Sequence, residues 1–75
     1  MNHHPFFDSI DLSTRRKRRA ATKLASYLIG IIHHAEYQYL ERIPPNLQGS
    51  AAYEAADETL DLLVEAINVL DSAFD

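Results

Sequence analysis

Tyr53, Ala56, Leu60, Leu63, Ile67, Leu70 and Phe74 are separated by alternating steps of three and four residues. That is a heptad pattern lasting three repeats, and only an α-helix brings such positions to one side. Ala52, Ala66 and Ala73 flank the seam on one side and Val64 on the other, while Leu62 and Val69 widen it. The spacing predicts a helix over about 51–74. A helix this apolar must bury its seam against other helices.

The segment before it, IPPNLQGS, reads as a connector. Pro44 and Pro45 stop a preceding helix and stiffen the turn. Gly49 gives the backbone freedom, Ser50 is a good N-cap, and Leu47 is expected to plug the open end of a helix pair. A connector this short makes the helices on either side antiparallel neighbours.

A first helix is predicted over about 14–42, capped by Ser13 with Asp11 adding favourable charge at its positive end. Its apolar stripe reads Ala21, Leu24, Ala25, Leu28, Ile31, Ile32, Ala35 and Tyr39, again at helical spacing. Gly30 weakens this helix and is read as a point of close approach by a neighbour. Residues 1–12 form an N-terminal apolar arm, with Phe6, Phe7, Ile10 and Leu12, expected to fold back over the core. The domain organisation is therefore this arm plus one helical hairpin over 13–75.

Seventy-five residues without a cysteine sit near the lower limit for a self-sufficient core. The apolar stripes are broader than one hairpin covers, so a second chain is expected. The predicted fold class is all-α: an antiparallel two-helix hairpin with an N-terminal arm, assembling as a homodimeric four-helix bundle. Leu24, Leu28 and Ile31 on the first helix, with Leu60, Leu63, Ile67, Leu70 and Phe74 on the second, are the expected self-association residues. No stretch approaches the roughly 20 apolar residues of a membrane span. With no basic leader, this points to a cytoplasmic protein with no membrane partner.

The net charge is −4, which argues against general polyanion binding, yet Arg15 to Arg19 form five consecutive cations. At about 100° per residue, five in a row surround the helix. Arg15, Arg19 and Lys23 make a stripe, with Arg16 beside it. Arg18, Arg19 and Lys23 are expected to be partly neutralised by Asp71 and Asp75 at the end of the second helix. Arg15, Arg16 and Lys17 are expected to project free. Glu54, Glu58, Asp61 and Glu65 lie on one stripe of the second helix, the usual mark of a solvated face. The basic residues Arg15, Arg16, Lys17, Arg19 and Lys23 and this acidic stripe are the two candidate contact surfaces.

His33 and Glu36, with His34 nearby, are the remaining chemical groups. Carboxylate-bridged helical bundles use repeated Glu-x-x-His motifs. Here the order is His-x-x-Glu and it occurs once, so surface or rim histidines and no metal site are expected. No nucleophile–base–orienter set and no glycine-rich phosphate loop is present. No catalytic residue, enzyme activity or cofactor is expected.

RIPPNLQGSAAYEAADETLDLLVEAINVLDSAF, and above all Ile43–Ser50 with LLVEAINVL, resembles small uncharacterised helical-hairpin proteins of Firmicutes and their prophages. These pair an LPxxLQxS-like loop with an acidic Leu/Glu/Ala/Ile helix. The first helix departs from their pattern, being richer in Tyr, His and Ile and poorer in Glu. The resemblance implies a helical hairpin in a phage or mobile-element setting and carries over no site residues. The expected function is a non-enzymatic protein–protein interaction module that binds itself and an unidentified protein, such as a host factor that it binds or inhibits. The alternative is a nucleic-acid-binding accessory protein using the basic start of the first helix.

Overall fold

The computed structural model describes residues 10–75. Two helices, α1 (Arg15–Glu41) and α2 (Ala51–Ser72), are joined through a short 3₁₀ turn at Pro45–Leu47 and pack against each other. The antiparallel hairpin follows from the contacts at its open end. Ser26 Oγ donates to Asp71 Oδ1 at 2.7 Å, and Arg19 Nη2 donates to the Phe74 carbonyl at 2.6 Å. Phe6 and Phe7 of the expected arm lie outside the described residues. Of the arm's other apolar residues, Ile10 is half-buried and Leu12 is exposed.

Local chemistry sets the ends. Thr14, not Ser13, is the N-cap of α1; its backbone is extended and its hydroxyl accepts from the Lys17 amide at 3.1 Å. Ser13 is displaced from that role because its amide donates to Asp11 Oδ1 at 2.9 Å, closing a turn just before the helix. The prolines end α1 at Glu41, with Arg42 as C-cap. Ser50 caps α2 as expected, accepting from the Tyr53 amide at 3.2 Å. Leu47 does not plug the hairpin; the 3₁₀ turn leaves it about half exposed.

The α2 seam faces α1 throughout. Ala56 and Leu60 are buried, and Tyr53, Leu63, Ile67, Leu70 and Phe74 are half-buried. The stripe expected to bury on α1 does not. Leu24 is 62% exposed and Leu28 56% exposed, and Ile31, Ile32 and Tyr39 are exposed too. The face α1 turns to α2 is instead Thr22, Ser26, Ile29, His33, Glu36 and Leu40, all buried or half-buried and again spaced by fours and threes. Gly30 marks no close approach, because a Cβ added there would meet nothing within 4 Å.

Candidate functional site

Each helix carries a second seam, made of the residues immediately preceding those of the first. On α1 it reads Ala21, Ala25, Leu28, Ile32, Ala35 and Tyr39. On α2 it reads Ala52, Ala55, Thr59, Leu62, Ala66, Val69 and Ala73. One residue back is a turn of about 100° about the helix axis. The same turn on two antiparallel helices brings both stripes to the same side of the hairpin. All are exposed except Ala21 and Ala66, which are half-buried. The result is a continuous apolar face two helices wide, with Thr59 its one polar member.

Two hollows interrupt this face. A groove of about 550 Å³ lies between Ile10 and the α1 residues Ala20, Ala21, Leu24, Ala25 and Leu28. A second, of about 250 Å³, lies at the loop end between Tyr39, Ile43, Leu47 and Ala52. Of the expected self-association residues, Leu24, Leu28 and Ile31 are exposed among the described residues. Leu60, Leu63, Ile67, Leu70 and Phe74 are used within the hairpin itself. Leu62 and Val69, the exposed large residues of α2 on the apolar face, were readable as a widening of the seam but not as a face of their own.

The basic run is more tightly held than its charge suggests. The Arg15 guanidinium sits over the Phe74 ring, 4.9 Å from its centroid, a cation–π contact. Lys17 pairs with Asp11 through Oδ2, so it does not project free. Arg18 donates to the Leu12 carbonyl at 2.9 Å and Arg19 to the Phe74 carbonyl. Asp71 accepts from Ser26 rather than from a cation, and among the described residues neither it nor Asp75 forms an ion pair. The expected neutralisation by these two carboxylates is thus replaced by main-chain carbonyls, which orient the guanidiniums and leave their charge. Lys17 holds the Asp11 carboxyl at about 2, well below its ordinary 3.8, with the Ser13 hydroxyl and amide adding to the effect.

Glu54, Glu58, Asp61 and Glu65 are all exposed on α2, outside the apolar face, with Glu58 and Glu65 along its outer edge. His34 is exposed, whereas His33 and Glu36 are half-buried on the face toward α2. Among the described residues no three His, Asp or Glu groups are placed to hold a metal ion. No helix among them is long and apolar enough to cross a membrane.

No family model, no curated protein and no solved structure matches the chain.

Proposed function

We propose that this protein is a non-enzymatic interaction module whose first partner is a second copy of itself, two hairpins joining through their apolar faces as a homodimeric four-helix bundle. The pair of second seams carries the reading. From Ala21 to Tyr39 the α1 stripe runs about 27 Å at 1.5 Å per residue. Two adjacent helices span roughly 20 Å, given interaxial distances of 8–10 Å. The footprint is near 500 Å² per copy, so a dimer reaches the ~1,000 Å² total expected of a specific interface. A face this apolar is a liability when left in water.

Dimerisation leaves the acidic stripe and the basic open end outside, where charge complementarity selects an unidentified protein. A host factor met in the cytoplasm of a phage- or mobile-element-carrying cell is the partner that the loop resemblance suggests. Sedimentation equilibrium tests the dimer. The expected mass at micromolar concentration is twice that of the 8.5 kDa chain, and the mass of one chain would count against it.

One observation favours a second reading, a nucleic-acid-binding accessory protein. Arg15, Arg16 and Arg19 line one shallow cleft of about 220 Å³, and no carboxylate is paired with them among the described residues. Titration into labelled single- and double-stranded DNA and RNA at two salt concentrations decides it. Binding that falls steeply with salt and is lost in Arg15/Arg16→Ala supports this reading, and its absence removes it.

A further inference from the structure

We infer that the two hairpins stack head to tail, the two-fold axis perpendicular to the helices, so that α1 lies on the partner's α1 and α2 on the partner's α2. This rests on the dimer proposed above and adds its geometry. Two stackings of the apolar faces keep every neighbouring helix antiparallel. In one, the two loops lie at the same end of the bundle and α1 packs on the partner's α2. In the other, the loops lie at opposite ends. Both let bulky residues meet alanines, so packing alone does not separate them.

Charge does. Among the described residues, the open half of the hairpin holds six cations, Arg15 to Arg19 and Lys23, against Asp11, Asp71 and Asp75. The loop half holds Glu36 and Glu41 on α1 and Glu54, Asp57, Glu58 and Asp61 on α2, against Arg42 alone, with Glu65 at the middle. With loops together, two cationic ends lie side by side and two acidic halves lie side by side. Head to tail, each cationic end lies beside the partner's acidic half. Stacked helices are about 10 Å apart, within roughly one Debye length at 0.1 M salt, so the difference is felt.

The edges of the face agree. Two residues before Ser26 and His33, the outer edge of α1 carries Leu24 and Ile31, while two before Leu60 and Ile67 that of α2 carries Glu58 and Glu65. The Ser26–Asp71 hydrogen bond sets the register, and carried along both helices it puts residue 31 level with residue 66. Loops-together stacking would therefore set Ile31 beside the partner's Glu65. Head-to-tail stacking covers the apolar edge of α1 with its own copy. The acidic edges then meet each other at the rim, in water, where screening limits the repulsion. With the axis level with Ile32, Leu28 falls beside the partner's Ala35.

The test is a pulsed dipolar distance measurement on the full chain carrying one nitroxide at Gln48→Cys. The chain has no other cysteine, and Gln48 is exposed in the loop, so the label disturbs neither helix. Head-to-tail stacking separates the two labels by about 40 Å, twice the run from the level of Ile32 to the loop at 1.5 Å per residue. A distance under about 25 Å in a sample that sediments as a dimer overturns the head-to-tail geometry and leaves the dimer standing. No intermolecular coupling, with the mass of one chain, overturns both and assigns the apolar face to a different occupant.

Discussion

Leu28→Ala separates an interface from an ordinary exposed face. Leucine to alanine removes three carbons, worth about 0.8 kcal/mol each when fully buried. Leu28 is 56% exposed in the single hairpin, so about half of that, near 1.3 kcal/mol, remains to be gained on dimerisation. Each dimer holds two copies. The variant therefore loses roughly 2.7 kcal/mol of association free energy, close to a hundredfold in Kd. Helix propensity adds nothing to this loss, because alanine is the better helix former at an exposed site. Tyr27→Ala is the matched control. Tyr27 is 69% exposed, more than Leu28, but it follows the seam residue Ser26 and so points to the opposite side of the hairpin. Sedimentation equilibrium across a dilution series gives Kd for both variants, and circular dichroism over the same series follows the helix lost as each dimer dissociates. The expected pattern is a large loss for Leu28→Ala and little change for Tyr27→Ala. Equal Kd values, or the reverse order, would refute the assignment of the face.

Three further outcomes test the local structure. Thr14→Ala and Ser50→Ala each remove a hydroxyl that accepts an amide, at Lys17 and Tyr53, and each should cost about 1 kcal/mol in chemical denaturation; Ser13→Ala, outside the cap, should cost α1 less. The Asp11 carboxyl should titrate near 2 by NMR and return toward 3.8 in Lys17→Met; because its folded value is depressed, its contribution is complete above about pH 4–5 and is lost as pH falls through 2, and a wild-type midpoint near 3.8 would discard the Asp11–Lys17 pair. Ser26→Ala breaks the 2.7 Å bond to Asp71 but leaves that carboxylate in contact with water, so a loss of about 1 kcal/mol is expected and one above 3 kcal/mol would mean that the bond is more deeply buried than its geometry implies.

The hairpin was legible because its signals are local. The prolines at 44 and 45, the Ser50 cap and the α2 seam each act over a few residues, and the structure places all of them as the spacing requires. The side of α1 that packs on α2 was not legible. Its most apolar stripe reads as the core-facing one, since hydrophobic periodicity assigns the most apolar side to the nearest neighbour. Here the strongest stripe is turned away, and the weaker Thr22, Ser26, Ile29, His33, Glu36 and Leu40 series faces α2. Both series have helical period and differ by one residue, so periodicity alone cannot rank them. The shift did leave a trace: Ser26 and Asp71 find each other only in the observed rotation. The guanidinium partners were illegible for a different reason. Main-chain carbonyls carry no sequence signature, so the Arg18 and Arg19 bonds to Leu12 and Phe74 had no residue type to announce them.

The polar content of that α1 face has an energetic consequence. Among the described residues only Ala56 and Leu60 are buried apolar side chains, and none is fully enclosed. A core of that size falls short for a chain this small, which needs oligomerisation or another staple to fold stably. The second seams supply the missing burial only when two copies meet. Folding and association should then be one transition, and the apparent stability should follow protein concentration. For a two-state dimer a tenfold dilution removes about 1.4 kcal/mol, which for some 150 residues folding together lowers Tm by about 3–5 °C. Melting curves from 1 to 100 μM give the slope. A Tm that stays constant over that range would mean that one hairpin is stable alone, and the apolar face would then be a surface kept open for a partner other than itself.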